Sequence, residues 1–554
     1  MKPLSAFEET RRRRLAGERE VVRLSRPGPE SEFRVALGFP NRYEVGMSNL
    51  GFQWTHRILC DEPGVVSERF FVEESLFPPR TYETGRPIGD FPVVAFSVSW
   101  EMDYPLVLKA LASAGIPIRS ADRGPEDPVI VFGGNCARIN PAPLLPYVDV
   151  LAVGDAEKLV PELGRALREA RGDREVLTAS LTSRPGFHLP RMGGGPGDEE
   201  GERGAHSSLP AVPIVIQQKK PREEFGVHQV PHTVLLTPET ELRDKLLIEI
   251  ARGCTEMCRF CWAAYAFAPI VRHSAAQILA VAERGRPFTD RVGLIATAVA
   301  DHPEILPILD GLEGMGFHIA LSSIKIDAIQ ERILEILNRQ GERALSIAPE
   351  AGNDRLRRAV NKKVSDEMLD EKMRMIFRAG FTHLKLYLQI GLPGETDSDV
   401  SDLVELVRRA HALALEEGRK LGRIATVVAA VNTFVPKPHT PFENERLIPL
   451  PEIERKMSYL AKEISKIPNT ILRGMPPKEA VWEAYLAKAS AGSSAILERV
   501  AAGEKPARML REFRAEFARV VWGEIPKGDR PWGFLRKRLP PQAGEKLPQF
   551  VGDM

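Results

Sequence analysis

The most chemically suggestive residues of this 554-residue chain are three cysteines within eight positions, Cys254, Cys258 and Cys261. They follow an apolar strand-like segment, so their thiolates can converge on one compact soft-metal centre at the end of that strand. An iron-sulfur cubane normally takes four cysteine ligands, and three leave one iron for a ligand from outside the protein. Five cysteines in so long a chain do not make a disulfide framework. The spacing therefore predicts an iron-sulfur centre with one open iron.

Two other interpretations of the cysteine trio remain open. A structural zinc site requires four protein ligands, and the nearest candidate for the fourth is His273, twelve residues after Cys261 and beyond a proline. Alternatively, the three cysteines are small packing residues of the core. The spacing favours the iron-sulfur interpretation, because chance rarely produces it in a chain with so few cysteines.

The elements that must position the cysteines form a series of strand-like segments that alternate with helical periodicity. The six predicted strands cover residues 245–250, 292–298, 318–326, 344–348, 383–390 and 426–434. Six βα repeats build a partial barrel whose active site lies at the C-terminal ends of its strands. The cysteine motif follows the first of these strands, and other polar motifs follow the later ones.

The motif itself reads RGCTEMCRFCW, with Phe260 directly before the last cysteine. It resembles the signature of the radical S-adenosylmethionine superfamily. The resemblance implies that Cys254, Cys258 and Cys261 hold three irons of a [4Fe-4S] cluster, while the fourth iron chelates S-adenosylmethionine through its amino and carboxylate groups. It further implies one-electron cleavage of this cofactor to methionine and a 5'-deoxyadenosyl radical, with an electron donor such as flavodoxin or ferredoxin.

Motifs at the later strand ends match other parts of the superfamily pattern. Thr297 occupies the place of the substrate amino-group contact, and the segment SIAPEAG resembles the one with ribose and carboxylate contacts. QIGLPGET is similar to the glycine-containing turn beneath the adenine, and the last strand end offers an edge that pairs with adenine. The candidate cofactor contacts that follow from these matches are Phe260, Thr297, Ser346, Glu350, Gln389, Gly391 and Asn432. Each also has an ordinary alternative as a turn, a cap or a solvated residue.

Asp301 and His302 follow Thr297 closely and leave two interpretations open. They form either a proton relay beside the cofactors or an ordinary surface turn. Two further cysteines, Cys60 and Cys136, are interpreted as inert packing residues, with Cys136 close enough to a glycine pair to face a ligand.

Residues 33 to about 170 form a second alternating series. The predicted strands are residues 33–39, 92–98, 128–132 and 148–153, and the predicted helices include residues 104–114 and 156–170. Apolar strands that are each followed by a helix imply a parallel sheet covered on both faces. Such an open α/β domain binds its ligands at the carboxyl ends of the strands.

Small polar residues follow the strands of this first domain. Ser97 and Ser99 follow one strand and the pair Gly133–Gly134 follows the next, where a missing Cβ lets the backbone approach a flat ring closely. The domain weakly resembles cobalamin-binding domains found ahead of many radical enzymes, which implies that these four residues contact cobalamin. The usual Asp-x-His-x-x-Gly loop is replaced here by residues 40–51, without histidine. Either cobalamin binds without a protein axial ligand, or the domain has kept the fold and lost the cofactor.

The predicted fold class is α/β, with an open Rossmann-like domain over residues 1–190, a partial (βα)6 barrel over residues 241–447, and a C-terminal helical region over residues 448–554. Residues 191–240 are predicted to be a linker with two short strands, at 212–217 and 233–237, because residues 192–208 are glycine-rich, charged and free of aromatic side chains. The predicted C-terminal helices cover residues 453–467, 477–489 and 507–522.

Composition limits the function classes that remain. With 43% hydrophobic and 27% charged residues, the chain is neither wholly disordered nor a coiled coil. The formal net charge of +1 gives no global attraction to nucleic acid or anionic membranes. We expect a cytoplasmic protein without a membrane partner, because no apolar run of about 18 residues occurs and the N-terminus lacks a secretory core. Basic runs that are candidates for RNA contact are Arg11 to Arg14 and Lys527, Arg530, Arg536, Lys537 and Arg538.

Three functions follow from these patterns. The leading hypothesis is a radical S-adenosylmethionine enzyme that methylates an unactivated carbon by way of cobalamin. The second is a cobalamin-independent radical modification of tRNA, rRNA or a ribosomal protein. The third is a non-catalytic scaffold with a structural cluster, which the open iron disfavours. The order of motifs also resembles an uncharacterised bacterial family, through YEVGMSNLGFQ at residues 43–53, SIAPEAG at 346–352 and PKPHTP at 436–441.

Overall fold

The computed structural model describes residues 5–24, 33–190, 214–215, 230–321, 324–526, 530–533 and 535–536. The predicted linker segment 192–208 lies outside the described residues, and so does the predicted strand 212–217 apart from Ile214–Val215. The predicted strand 233–237 is present only as Leu235–Leu236, which pairs with Arg19–Glu20 near the N-terminus.

The N-terminal unit is built on a six-stranded sheet in the order β2-β1-β3-β4-β5-β6. Its strands are β1 Phe33–Phe39, β2 Val65–Phe71, β3 Val93–Ser97, β4 Val129–Gly133, β5 Val150–Ala152 and β6 Phe187–His188. The first five strands are parallel and β6 runs antiparallel to β5. The four predicted strands are thus present, whereas β2 and β6 were not predicted.

Helices cover both faces of this sheet, as the nearly continuous apolar runs of its strands require. The helices are α1 Ala6–Gly17, α2 Tyr43–Met47, α3 Leu50–Asp61, α4 Tyr104–Ser113, α5 Cys136–Ile139, α6 Ala156–Ala170 and α7 Arg174–Thr182. Val35 and Leu37 point into a core shared with α3 and α6, while Ala36 points into a second core with α4. That second core continues into the barrel and the C-terminal helices, so the units share apolar packing.

Among its described residues, the second unit contains seven strands in two parallel sheets rather than the six predicted. They are β7 Leu246–Glu249, β8 Arg291–Ile295, β9 His318–Leu321, β10 Ala344–Glu350, β11 His383–Ile390, β12 Thr426–Thr433 and β13 Thr470–Gly474. Strands β7 to β9 pair in one sheet and β10 to β13 in another. All six predicted strands are present, and β13 closes the far edge of the second sheet.

The barrel helices follow the strands as the βα pattern predicts. They are α8 Trp262–Ala266, α9 Ala275–Gly285, α10 Ile305–Gly314, α11 Glu331–Arg339, α12 Asp354–Ala359, α13 Asp366–Arg378 and α14 Asp397–Leu421. In β11, Leu384, Leu386 and Leu388 are buried in the core with α13 and α14. Lys385, Tyr387 and Gln389 alternate with these leucines along the strand, so their side chains point toward the barrel interior.

The C-terminal region is helical, as predicted, but its last helix is interrupted. Its elements are α15 Leu450–Ile464, α16 Pro477–Lys488, α17 Ser494–Ala501, α18 Pro506–Glu512, α19 Arg514–Phe517 and a π-helical turn Ala518–Trp522. Helix α16 lies between the two α/β units: Asn140 Nδ2 donates to the carbonyl oxygens of Ala487 (3.2 Å) and Ala489 (2.8 Å). Across the described ranges, we find no helix that is both long and apolar enough to cross a lipid bilayer.

Candidate functional site

The cysteine loop begins where β7 ends, after the short strand Ala251–Arg252. Gly253 has φ +100°, and a Cβ at this position would lie 2.6 Å from the carbonyl oxygen of Phe267. Only glycine fits this turn, which releases the chain into the loop. Within the loop, the amide of Cys261 donates to the carbonyl of Cys258 (3.0 Å), and the Cys258 side chain is buried.

Residues from the segment after β10 hold the loop from one side. Asn361 Nδ2 donates to the carbonyl oxygens of Glu256 (2.9 Å) and Met257 (3.0 Å). Arg259, between two of the cysteines, donates its amide to Val360 O (3.0 Å). Met257 itself has φ +51°, a conformation that a methionine adopts only when its surroundings impose it. The loop is thus fixed before any ligand is considered.

Lys325 holds the loop from the other side. Its Nζ lies 2.8 Å from Glu256, 2.8 Å from Asp301 and 3.0 Å from Asp327. Burial lowers the pKa of this ammonium, but hydrogen bonds to the three carboxylates outweigh burial and raise the pKa above its ordinary value. The ammonium therefore stays charged and ties the loop to the ends of β8 and β9.

Burial raises the pKa of all three loop thiols, that of Cys258 to about 12. Lys362 opposes the shift at Cys258, and main-chain amides oppose it at Cys254 and Cys261. Because iron binds thiolates, cluster loading must displace three protons from this loop.

The donor set fits a cubane with one open iron better than the alternatives. Cys60 and Cys136 are buried in the N-terminal unit, so no fourth cysteine accompanies the loop. His273 is buried and donates its amide to the carbonyl of Ile250 (3.0 Å), and in the described structure it forms no ligand group with the cysteines, which disfavours the zinc interpretation. Among the described residues, no three His, Cys, Asp or Glu side chains converge as ligands of a single ion would. A cubane differs, because it spreads three thiolates over three irons.

A buried carboxylate lies beside the cysteine loop. Glu350, at the end of β10, has φ +69° and accepts a hydrogen bond from Gln389 Nε2 (2.9 Å). Lys362 Nζ is 3.7 Å from the same carboxylate. Burial raises the pKa of Glu350, and Lys362 and Gln389 oppose that shift. The charges of Glu350 and Lys362 also act on Cys258, so this group and the loop share one site.

The remaining predicted barrel contacts have mixed environments. Phe260 packs against a small cluster that includes Phe434 and Phe442. Asn432 is exposed at the end of β12, in register with Gln389. Ser346 is half-buried on β10, and its carbonyl accepts from the amide of Ile324 (3.3 Å).

Gly391 has a structural explanation of its own. Its φ is +77°, and a Cβ there would lie 2.9 Å from the Ile448 side chain. Its amide donates to Glu395 Oε1 (2.8 Å), which in turn pairs with Lys456 (2.7 Å). These contacts account for the glycine without a ligand, so an adenine contact at this position stays a prediction.

The structure engages Asp301 and His302, the two residues of the suggested proton relay, with different partners, and the relay stays a prediction. Asp301 is paired with Lys325, as described above. His302 Nε2 lies 2.8 Å from the carbonyl of His273, and its Nδ1 accepts from the amide of Glu304 (3.1 Å). Burial lowers the pKa of His302, which keeps the ring neutral and structural.

A cavity of about 440 Å³ lies between the carboxyl edge of the N-terminal sheet and the mouth of the barrel at β7 and β8. Its lining includes all four residues predicted at the sheet edge together with one predicted at the barrel mouth: Ser97, Ser99, Gly133, Gly134 and Thr297. Gly134 has φ +93°, and a Cβ there would lie 2.6 Å from the Val98 carbonyl, so this turn requires glycine. Cys136, which follows the pair, is buried in the core and does not line the cavity.

Charged side chains from both units meet at this cavity. Arg252, just before the cysteine loop, pairs with Asp155 (2.9 Å) and Glu157 (3.2 Å) of the N-terminal unit. Arg138 Nη2 donates to Asp155 (2.7 Å), whereas its Nη1 is buried without a hydrogen-bond partner in the described structure. The indole Nε1 of Trp54, which also lines the cavity, lacks a partner there as well. Neither donor was predicted from the sequence, because an isolated Trp or Arg carries no motif.

The basic runs suggested for RNA binding are largely engaged in internal contacts. Arg11 donates to the carbonyl oxygens of Tyr82 (2.5 Å) and Glu83 (2.6 Å). Arg14 is buried against Glu73 and Glu44. Arg530 pairs with Glu443, while Lys527, Lys537 and Arg538 lie outside the described residues. Arg11 and Arg14 are therefore part of the fold, whereas Arg12 and Arg13 are 64% and 66% exposed, and RNA contact by the run stays a prediction.

Two family descriptions match the chain, "Radical SAM proteins, N-terminal" over residues 51–190 and "Radical SAM superfamily" over residues 248–407. The chain belongs to the radical S-adenosylmethionine (SAM) superfamily. Membership implies a [4Fe-4S] cluster and S-adenosylmethionine as cofactors of this radical SAM protein. It also implies a reductant that donates electrons to the cluster.

Several known proteins resemble this radical SAM protein. The uncharacterized protein MJ0966 of Methanocaldococcus jannaschii is 26% identical over 434 residues, which cover 78% of this chain and 83% of the relative. The cobalamin-dependent S-adenosylmethionine radical enzyme OxsB aligns with a TM-score of 0.46 at 11% identity. The alignment covers 68% of this chain and 52% of OxsB, so the chain spans about half the length of OxsB. The coproporphyrinogen III oxidase HemN of Escherichia coli aligns with a TM-score of 0.29 at 15% identity, covering 41% of this chain and 62% of HemN.

Proposed function

We propose that this radical SAM protein cleaves S-adenosylmethionine reductively and uses cobalamin, held in the cavity between its two α/β units, to methylate an unactivated carbon. The observation that carries the proposal is the cavity itself. It joins the sheet edge with the barrel mouth, and side chains of both units line it, among them Ser97, Ser99 and Thr297. A cavity at the carboxyl edge of a parallel sheet, lined by apolar side chains and a few polar groups, is the usual ligand site of such a domain.

The residues around the cysteine loop suit the first two cofactors. Cys254, Cys258 and Cys261 would hold the cluster. Lys362 and Glu350 place one cation and one carboxylate beside the thiols, which complements the zwitterionic amino-acid part of S-adenosylmethionine. When bound, cluster and S-adenosylmethionine together supply a carbon-centred radical, and cobalamin supplies a methyl group.

The cavity suits the third cofactor in three respects. Apolar side chains, including Leu37, Phe96 and Val131, offer a surface for a flat macrocycle. The half-buried polar side chains of Ser97, Ser99 and Asn135 offer hydrogen-bonding groups to its amide and phosphate oxygens. No histidine occurs among the described residues that line the cavity, so cobalt would lack an imidazole ligand from this wall. Of the two interpretations left open by the sequence, we propose binding without a protein axial ligand.

The decisive experiment is anaerobic reconstitution with iron, sulfide and cobalamin, followed by measurement of iron, bound cobalamin and 5'-deoxyadenosine. Ser97→Trp should fill the cavity and reduce retained cobalamin at least about tenfold, because a bulky ring replaces the ligand's volume. Ser113→Trp, on the exposed end of α4, is the matched control and should retain cobalamin as the unmodified protein does.

Two results would count against the proposal in different ways. Protein that holds the cluster but never cobalamin would exclude the methyl-carrier step. Protein that holds the cluster yet forms no 5'-deoxyadenosine would exclude the radical chemistry and favour a structural cluster.

A further inference from the structure

A second large cavity lies in the C-terminal region and shares no lining residue with the cavity between the two α/β units. It is an open groove of about 1080 Å³. The segment 446–451, which leads into α15, forms one wall, and the stretch from α18 to the π-helical turn forms the other. Lys478, near the start of α16, also lines it. We call this cavity the C-terminal groove.

The wall from α18 to the π-helical turn is one continuous helical face. The lining residues Ala507, Leu510, Arg514, Ala518 and Trp522 follow one another at intervals of three or four positions. Residues at this spacing lie on the same side of a helix. At the rise of a helix this stripe is roughly 20 Å long, or about four turns. The groove therefore has the proportions of an elongated ligand.

Apolar side chains form the floor of the C-terminal groove. Leu447 and Phe517 are buried there. Others are only half-buried and leave apolar area in contact with water, namely Ile448, Leu450, Leu510 and Trp522. A partner that brings apolar side chains of its own would remove this area from water, which favours binding.

The charged residues of the lining are all cations: Arg446, Lys478, Arg511 and Arg514. Arg446 pairs with the exposed Glu524 (2.7 Å). Across the described ranges, no carboxylate lies within 4.0 Å of Lys478, Arg511 or Arg514. Three of the four cations are therefore without a counter-charge in the groove.

The acids close to these cations in sequence do not neutralise them. Glu512 pairs with Arg499 and Arg508, and Glu516 accepts from the Tyr485 hydroxyl (2.8 Å). Glu479, next to Lys478, is exposed and does not line the groove. Helices α15 and α16 also begin at the groove without a side-chain cap, so their N-terminal partial charges add to the positive potential.

We infer that the C-terminal groove docks an acidic amphipathic helix of a partner protein. Apolar side chains at intervals of three or four positions on that helix would cover the floor. Carboxylates on either side of its apolar stripe would face Lys478, Arg511 and Arg514, and this charge complementarity selects an acidic partner. Docking requires neither the cluster nor cobalamin, and it goes beyond the proposed methyl transfer.

The groove adjoins the barrel through Ile448. The side chain of Ile448 fills the space in which a Cβ of Gly391 would lie, at 2.9 Å, and Gly391 follows directly on β11. Glu395, which accepts from the Gly391 amide, pairs with Lys456 of α15 (2.7 Å). A docked partner is therefore held beside the carboxyl ends of the barrel strands, on the side where the active site opens.

The composition of the floor favours a protein helix over RNA or a membrane. Surfaces that bind single-stranded RNA expose aromatic faces on which bases stack. Here Phe517 is buried in a stack with Trp482 and Tyr485, and the Trp522 indole lies half-buried with its Nε1 3.5 Å from the Ile448 carbonyl. A flat bilayer surface does not enter a groove whose apolar residues form its floor. RNA and lipid are therefore competing outcomes of the test.

The test measures peptide binding to the full-length reconstituted protein by fluorescence anisotropy. The probe is a labelled helical peptide with leucines at helical spacing on one face and glutamates on the other faces. Two matched peptides replace either the glutamates by lysines or the leucines by serines. At low salt, we expect the acidic leucine peptide to bind at least about tenfold more tightly than either matched peptide. At high salt, its advantage over the lysine peptide should shrink.

Two variants locate the binding in the groove by charge and by volume. Arg511→Glu/Arg514→Glu should weaken binding of the acidic peptide about tenfold or more at low salt. Arg171→Glu/Lys363→Glu changes the charge equally at exposed positions outside the groove and should bind as the unmodified protein does.

The volume variant is Ala507→Trp, which places a ring in the groove and should weaken binding about fivefold or more at every salt concentration. Its control is Ala515→Trp, at an exposed position of α19 that does not line the groove. Iron content and the circular dichroism spectrum verify that each protein is folded and loaded.

Three results would overturn the docking site: an acidic peptide that fails to bind the unmodified protein, equal binding of the three peptides, and groove variants that bind the acidic peptide as their controls do. Retention of a single-stranded RNA or of phosphatidylglycerol vesicles that both groove variants lose, while peptide binding persists, would assign the groove to that ligand instead. Absence of 5'-deoxyadenosine in the same preparations would refute the proposed function and leave the peptide result unchanged.

Discussion

At the scale of single residues, the cysteine loop depends on side chains that are distant in sequence. Asn361 is separated by 105 positions from Glu256, whose carbonyl it binds, and Lys325 by 69 positions from the same residue. The three cysteines were predictable because their spacing is local. Asn361, Lys325 and Lys362 were not, because no local pattern records a contact that only the closed barrel creates.

Lys325 is expected to be a positioning residue of the cluster. Its ammonium is 15% exposed and is shared by three carboxylates, so Lys325→Met would leave them without their cation. We expect unfolding to become easier by about 2–4 kcal/mol and the reconstituted iron content to fall. Lys325→Arg keeps the charge and should restore most of the iron. Thermal unfolding and the cluster's reduction potential are the measurements, and equal values for both variants would refute the role.

Gly253 provides a test of the loop's backbone. Gly253→Ala adds a Cβ at φ +100° and only 2.6 Å from the Phe267 carbonyl, so the loop must shift. We expect most of the cluster iron to be lost after reconstitution. Gly341→Ala is the matched control, because Gly341 has φ +87° but open space around its Cβ position. The control should lose about 1–2 kcal/mol of stability and keep its iron. The comparison therefore distinguishes backbone strain, which both variants have, from the steric clash with Phe267, which only Gly253→Ala has.

At the scale of elements, the turn Glu101–Asp103 after β3 contains a titratable group outside the cluster site. Burial raises the pKa of Asp103 from 3.8 to about 7, with Asn41 opposing the shift and Glu101 adding to it. A carboxyl whose pKa is higher in the folded state stabilises the fold below pH 4, and this contribution is lost as pH rises toward 7.

Asp103→Asn should therefore remove one contribution to the pH dependence of the unfolding free energy. The variant should be more stable than the unmodified protein at pH 8, by up to about 4 kcal/mol, and the difference should shrink toward pH 4. Denaturant unfolding of both proteins at pH 5, 6.5 and 8 measures this difference in unfolding free energy. The contributions of the other titrating groups are common to both proteins and cancel in the difference. A difference that stays constant over this range would contradict the assignment.

The elements missed from the sequence share a physical cause. Strand β2 contains Glu68 and Arg69, which are buried only because Arg34, Glu18 and Glu83 pair with them from other elements. Strand β13 is half exposed at a sheet edge and lacks an apolar run. Periodicity detects strands whose own residues are apolar, so strands stabilised by distant ion pairs or by edge position escape it. The remaining predicted barrel strands are apolar and were found.

At the scale of the whole molecule, three regions of the chain meet at one half-buried cation, Lys437, whose side chain is 17% exposed. Lys437 Nζ lies 3.0 Å from Glu101 of the N-terminal unit and 2.7 Å from Glu483 of helix α16. Burial lowers the pKa of Lys437, but the two carboxylates outweigh burial and raise it. Because the cavity is bounded by both α/β units, its shape depends on how firmly this junction holds them together.

Lys437→Met should loosen that junction more than Lys437→Arg. Removing the cation leaves two carboxylates buried together, so we expect a loss of about 3–5 kcal/mol in unfolding free energy. Hydrogen exchange should rise at the junction of the turn Glu101–Asp103 with helix α16, and cobalamin retention should fall while iron retention does not. The two cofactors should respond differently because Lys325 and Asn361, both in the barrel, hold the cysteine loop, with Arg252 as its link to the N-terminal unit, whereas both units line the cavity. If iron and cobalamin were lost together, the junction would be needed for the stability of the barrel as well. That result would contradict a specific effect of the junction on the cavity.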